Sequence, residues 1–292
     1  MTNLLSGFAD EAGASLETQI RATRELGWEN IEMRNVEVPG FPNGNLHDIP
    51  DAAFERVVET VGRQGVHIHC FGSAIANGGK SIEKPFDVCL GEAKRAAVRM
   101  PRLGAKFIRI MSYPVLSGPD QMEKERFRRL REIVLVLGDA GVTVLHENCG
   151  NYGGMGWTYS LQLLENVPGL KLVFDMGNCV HDLDYAKPEP RPRQSAWEFY
   201  SHIRDHIAHL HIKDGVINAK GEHIHHYPGE GDGDVKRIVK DLLGSGYRGA
   251  ISIEPHMGVS PEFRDAAIPE AEGRYRTYVE YGRRVMKLLA EI

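Results

Sequence analysis

The sequence predicts an α/β chain folded as one closed (β/α)8 barrel, a single domain over residues 1–292. Three observations carry that prediction. Eight short, β-rich apolar runs recur along the 292 residues, or about 36 residues per unit, the length of a strand, a helix and two turns. The segments between them repeat apolar residues at helical spacing. Glycines stand where several of those helices should end.

The runs are Leu4–Phe8, Asn30–Arg34, Val66–Phe71, Phe107–Met111, Val142–His146, Lys171–Phe174, Ile207–Ile212 and Ala250–Glu254. Between them, Phe54, Val57, Val58 and Val61 form one helical stripe. Phe127, Leu130, Val134 and Leu137 form another, and Val235, Ile238, Val239 and Leu242 a third. Gly27, Gly65, Gly104, Gly141 and Gly246 are the expected helix stops. Strands alternating with helices pair in parallel, and eight such units close into a barrel. A doubly wound sheet would carry a GxGxxG loop after its first strand, and Gly7-Phe8-Ala9-Asp10-Glu11 is not one. Pro101 is expected to kink the third helix or end it early. Tyr185–Arg193, with three prolines and three basic residues, reads as an extended loop.

Composition narrows the function. Apolar residues make up 42% and charged residues 26%, and the formal charge is −5, so nothing attracts a polyanion in bulk and nucleic-acid binding is not expected. No run of apolar residues is long enough to span a membrane, and the first residues lack a signal-peptide pattern, so a cytoplasmic location is expected. Cys70, Cys89, Cys149 and Cys179 form no CxxC pair and are expected to be reduced.

Barrel chemistry sits at the C-terminal ends of the strands. The fifth run leads into Glu147, the sixth into Asp175, the seventh contains His211 and the eighth ends in Glu254. Three carboxylates and one imidazole from neighbouring strands make an oxygen/nitrogen site for one divalent cation. Each residue alone has an ordinary reading as a loop or core residue; the argument rests on the set. His209, two residues before His211 and on the same face, is read as a core histidine one layer deeper. His69 is placed near the pocket and His67 deeper. Glu32 and Arg109, ending the second and fourth strands, are expected to pair with each other.

Six segments then carry a family resemblance: Gly7-Phe8-Ala9-Asp10-Glu11, His146-Glu147-Asn148, Asp175-Met176-Gly177-Asn178, His209-Leu210-His211-Ile212-Lys213-Asp214, Gly229-Glu230-Gly231-Asp232-Gly233 and Ile253-Glu254-Pro255-His256. Over essentially its whole length the chain resembles the xylose-isomerase-like TIM barrels, most of all their sugar phosphate isomerase/epimerase group. The resemblance implies a Mn2+, Mg2+, Co2+ or Zn2+ ion held by Glu147, Asp175, His211 and Glu254. It also implies that Glu147 and Glu254 act as an acid/base pair on opposite faces of a sugar. The reaction would be isomerisation or epimerisation of a sugar or sugar phosphate, by proton abstraction beside a carbonyl through a metal-stabilised enediolate.

His69, Arg109, Asn178, Lys213, Asp214 and His256 are the candidate substrate contacts. The loop carrying His226 and Glu230 is expected to cover the site. Ketose 3-epimerases of this group carry a glutamate shortly after the first ligand and an arginine shortly after the histidine. Here those stretches read Asn151-Tyr152-Gly153-Gly154 and Gly215-Val216-Ile217-Asn218, which turns the expectation away from a free ketohexose handled in their manner. Tyr152 and Trp157 are expected to shape a different pocket. The runner-up is a metal-dependent dehydratase or lyase acting on a keto-sugar, keto-inositol or oxidised glycoside. A non-catalytic sugar-binding barrel and a zinc phosphodiesterase follow behind. The expected partner is a small sugar, with homo-oligomerisation left open.

Overall fold

Every one of the eight predicted runs becomes a strand of one sheet in the computed structural model, which describes residues 3–77 and 79–292. The strands are β1 Leu5–Gly7, β2 Asn30–Met33, β3 His67–Gly72, β4 Phe107–Ile110, β5 Thr143–Glu147, β6 Lys171–Asp175, β7 Ile207–Ile212 and β8 Ala250–Ile253. All pair in parallel, and β8 lies between β1 and β7. The two end strands meet through a single parallel bridge, Phe8 to Glu32, which brings the sheet to near closure.

The principal helices are α1 Leu16–Glu25, α2 Asp51–Gln64, α3 Asp87–Leu103, α4 Glu123–Asp139, α5 Trp157–Asn166, α6 Met176–His181, α7 Ala196–Ile203, α8 Val235–Gly244 and α9 Glu270–Ala290. They bury the predicted stripes against the outside of the barrel: Phe54, Val57 and Val61 on α2, and Val235, Ile238, Val239 and Leu242 on α8, are all buried. Each such side chain contributes roughly 1.5–3 kcal/mol. Five helices stop at the expected glycines, Gly27, Gly65, Gly104, Gly141 and Gly246, all at positive φ. Gly65 and Gly104 cap α2 and α3 in the left-handed region, at φ of 62° and 67°, where a side chain would be strained.

Pro101 departs from expectation. It lies inside α3, which continues to Leu103. The proline falls in the last turn, and the amides of Gly104 and Ala105 close that turn on the carbonyls of Pro101 and Met100. His67 also departs: it opens β3 at an exposed position, whereas His69 is buried. Tyr185–Arg193 is an irregular loop, tied at its ends by a Leu183–Arg193 bridge. A hairpin follows β7, pairing 214–217 with 223–226. No described helix is long and apolar enough to cross a membrane.

Candidate metal centre

The centre follows from strand register. Asp175 on β6 stands beside His211 on β7, and His211 stands beside Ser252 on β8, two residues before Glu254. Glu147 closes β5 next door. Parallel strands with this stagger deliver all four side chains to one layer at the barrel mouth. One ligand atom from each lies within 4.8 Å of the others. His211 Nδ1 is 3.8 Å from Glu147 Oε1, 3.8 Å from Glu254 Oε2 and 4.0 Å from Asp175 Oδ2. All four residues are at most 2% exposed.

Three cations hold these carboxylates in the structure. Lys213 Nζ sits 2.9 Å from both Asp175 Oδ2 and Glu254 Oε2. Arg109 donates to Glu147 Oε2 at 2.8 Å, and Arg34 donates to Glu254 Oε1 at 3.2 Å. Both guanidinium groups lie over the Phe8 ring, 4.6 and 4.8 Å from its centre.

Charge follows this geometry. Burial works against the Glu147 carboxylate, but Arg109 overrides it and brings the pKa down to about 2. For Glu254, burial is likewise overridden, chiefly by Lys213, and the pKa falls well below the usual carboxylate range. Asp175 moves the other way, because burial outweighs Lys213 and the neighbouring carboxylates oppose its charge. Burial also disfavours the His211 imidazolium, yet Glu32 and Glu147 raise its pKa to about 10.

The donor set fits a divalent cation. His211 Nδ1 is buried without a hydrogen-bond partner, Asp175 Oδ2 is buried with the Lys213 ion pair in place of one, and both face the space between the carboxylates. Unpartnered buried polar atoms are costly. A hard or borderline cation accepted by three oxygens and one imidazole nitrogen would satisfy both.

The other predicted residues fall into distinct places. Asn178 accompanies the ligands: its side-chain amide donates to Glu147 Oε1 at 3.0 Å, and its backbone N–H to Asp175 Oδ1 at 3.0 Å. His256 lies at the rim, 37% exposed at its side chain, with Nε2 3.9 Å from Glu254 and Nδ1 2.8 Å from Glu11. His69 lies deeper, with Nδ1 3.2 Å from the Ile31 carbonyl and its ring 5.4 Å from that of His209. Asp214 is turned toward the backbone, taking N–H bonds from Gly215, Gly229, Gly231 and Gly233. Gly231 must lack a side chain there, since an added Cβ would collide with Asp214 and the Gly215 carbonyl.

Two expectations are corrected. Glu32 does not pair with Arg109; it accepts from His209 and His211, while Arg109 turns to Glu147. Tyr152 and Trp157 face the helical layer: the Tyr152 hydroxyl bonds Glu123 and Gln162, and Trp157 stacks on His202 at 3.7 Å. In the loop that carries His226 and Glu230, the backbone of Gly229, Gly231 and Gly233 wraps Asp214 and the Glu230 carboxylate accepts from Arg284 at 2.8 Å.

Two groups were not anticipated from the sequence. Arg34 binds Asp10, Glu11 and Glu254 together. Its position two residues after Glu32, hence on the same strand face, was the available signal. A chain of imidazoles runs from His181 through His223 and His225 to His256, with ring centres 4.5, 4.3 and 5.4 Å apart. Only the hairpin after β7 makes that chain, so linear spacing could not reveal it.

Comparison with known proteins agrees with the architecture. A protein described as a xylose isomerase-like TIM barrel from Mycobacterium smegmatis, solved in complex with magnesium, superposes with a TM-score of 0.67 at 16% identity, covering 98% of this chain and 100% of that one. The probable 3-DHS dehydratase AsbF from Bacillus anthracis gives a TM-score of 0.65 at 18% identity, covering 95% and 99%. D-psicose 3-epimerase from Clostridium cellulolyticum, solved with D-tagatose, gives 0.61 at 13%, covering 97% and 99%. At these identities the likeness is one of fold. A comparison with curated protein sequences returns no match. The sequence model of one family matches residues 20–281, nearly the whole barrel, and by that match the chain belongs to the xylose isomerase-like TIM barrel family.

Proposed function

We propose that this chain is a divalent-metal-dependent isomerase or epimerase of a sugar or sugar phosphate, working by proton transfer beside a carbonyl. The carrying observation is the set Glu147, Asp175, His211 and Glu254 gathered within 4.8 Å, with His211 Nδ1 unpartnered among the carboxylates. The magnesium-bound relative and the epimerase relative support the same reading.

Glu147, Asp175, His211 and Glu254 would hold the ion. A divalent cation there supplies Lewis-acid polarisation of the carbonyl and offsets the negative charge that develops on it. Glu147 and Glu254 reach the centre from different strands, so one takes the carbon-bound proton and the same or the other returns it. Their depressed pKa values keep both ionised near neutral pH. Arg109 and Arg34 orient these carboxylates, and Asn178 steadies Glu147. Lys213, released from Asp175 and Glu254 by the cation, would be free to meet a substrate oxygen.

Elimination from a keto-sugar, keto-inositol or oxidised glycoside is the second reading, and His256 favours it. It lies at the rim beside Glu254, and although burial opposes its charge, Glu254 and Glu11 raise its pKa, which suits protonation of a leaving group.

Incubating the enzyme with Mn2+ and a panel of ketoses, sugar phosphates and keto-glycosides in D2O separates these. Deuterium incorporated beside the carbonyl, with no loss of water or aglycone, is the expected result. An unsaturated or cleaved product makes the enzyme a lyase. Absence of exchange across the whole panel at full metal occupancy sinks the catalytic reading.

A further inference from the structure

Below the four ligands, the barrel interior is unexpectedly polar. Barrel interiors are ordinarily filled by branched aliphatic side chains, and Cys70, Leu145 and Val173 do cluster in this one. Beside them, however, lie Ser6, Glu32, His69, His209 and Ser252, all buried. Burying these groups costs free energy unless each is hydrogen-bonded. Ser6 bonds Ser252 and His69, and His69 reaches the Ile31 carbonyl; the remaining bonds converge on Glu32.

Glu32, fully buried at the end of β2, accepts three donors. Oε2 takes His209 Nε2 at 2.7 Å and His211 Nε2 at 3.1 Å, and Oε1 takes the Cys70 thiol at 3.3 Å. Strand geometry aims it there. Between Ile31 and Glu32 the register against β3 jumps from Ile68 to Cys70, skipping His69. Such an irregularity bends a strand and redirects its side chains. The Phe8–Glu32 bridge that joins β1 to β2 fixes the backbone at the same point.

We propose that Glu32 is a positioning residue for the cation site, holding the Nε2 proton of His211 so that Nδ1 is the nitrogen presented to the metal. The proposal rests on the metal-centre reading above. A carboxylate surrounded by donors only accepts, so both histidines direct an Nε2–H at it. For His211 that leaves one nitrogen, Nδ1, and it is the unpartnered atom among the three carboxylates. A carboxylate on the far nitrogen of a metal-bound imidazole fixes its tautomer and orientation and increases its basicity. His209, bonded to the same oxygen, pins Glu32 from the other side and keeps it from swinging upward into the ligand layer.

The test uses the full chain with nitrogen-15-labelled histidine, with zinc as the probe. The His211 ring signals are assigned by their loss in H211N. Zinc is expected to shift the Nδ1 resonance of His211 while Nε2 keeps its proton. In E32Q, zinc binding measured by chelator competition is expected to weaken 10–100-fold, the range found for such supporting partners. E32D, which keeps the charge but loses reach, should recover part of that loss.

Zinc bound through Nε2 overturns the proposal. So does a folded E32Q that binds zinc within about twofold of the parent chain. Should E32Q fail to fold, the wild-type spectrum and E32D decide alone. Zinc that disturbs no His211 signal overturns the metal-centre reading itself, an outcome distinct from the other two.

Discussion

Asp175 and Asp214 are both completely buried near the same strand ends, yet the fold treats them in opposite ways. The two oxygens of Asp214 receive four backbone N–H groups, at 2.8–3.0 Å, from Gly215, Gly229, Gly231 and Gly233. Asp175 receives one, from Asn178, and its second oxygen receives no backbone N–H, with the Lys213 ammonium at 2.9 Å and His211 Nδ1 at 4.0 Å. The first carboxylate is satisfied by the chain and organises a loop. The second is left short of donors, in a group of acids where a cation would complete it. Being charged and buried does not distinguish a structural acid from a functional one; what its oxygens already hold does.

The largest test of that contrast falls on the functional side. E254Q should reduce turnover by at least 10²–10⁴-fold, the scale of an acid/base contribution. Cation binding should weaken without being lost, because Glu147, Asp175 and His211 remain. Wild-type turnover by E254Q at full metal occupancy would remove Glu254 from the chemistry.

Swapping the two aspartates for asparagine sharpens the comparison directly. D175N should lose most of its cation affinity with little change in metal-free melting temperature, since the change removes a charge from a crowded acidic group. D214N should do the reverse. Hydrogen bonds to a charged group are worth about 1.5–3 kcal/mol each, and a domain this large loses about 2–4 °C of melting temperature per kcal/mol. Calorimetry and metal titration on both variants check it, and matching phenotypes would erase the distinction.

The smallest effect is one of pH. The metal-free centre holds His211 protonated up to about pH 10, and a cation must displace the Nδ1 proton. Affinity should therefore rise with pH, by about tenfold per unit from His211 below that pKa and more steeply below about pH 7, where Asp175 must lose a proton as well, with proton release on binding. Calorimetry in buffers of different ionisation enthalpy measures the release. Affinity flat from about pH 6 to 9 would mean His211 is not displaced from its proton.

The strand ends were legible because period-two patterning and strand-to-strand spacing place Glu147, Asp175, His211 and Glu254 without knowledge of any contact. Pairings were not. A pairing of Arg109 with Glu32 follows from opposite charges at the ends of β2 and β4, but the redirection of Glu32 into the barrel depends on a register shift that no linear pattern records. Tyr152 and Trp157 follow the first ligand closely, so sequence proximity suggested the pocket; the short turn and helix after β5 carry them outward instead. The role of Asp214 had a readable trace. Glycines at 229, 231 and 233 offer the alternating backbone amides that wrap one carboxylate.

Phe8 carries no charge, yet two guanidinium groups rest on its ring and the His211 imidazole meets its edge at 5.1 Å. An aromatic face attracts cations without donating or accepting a proton. It gives Arg34 and Arg109 a shared resting face beside Glu254 Oε1, which lies 3.2 and 3.8 Å from them, and leaves their hydrogen bonds to Glu254 and Glu147 in place. The opening strand of the barrel, which supplies no ligand, thereby helps position the cations that hold Glu254, just past the neighbouring strand, and Glu147, across the barrel.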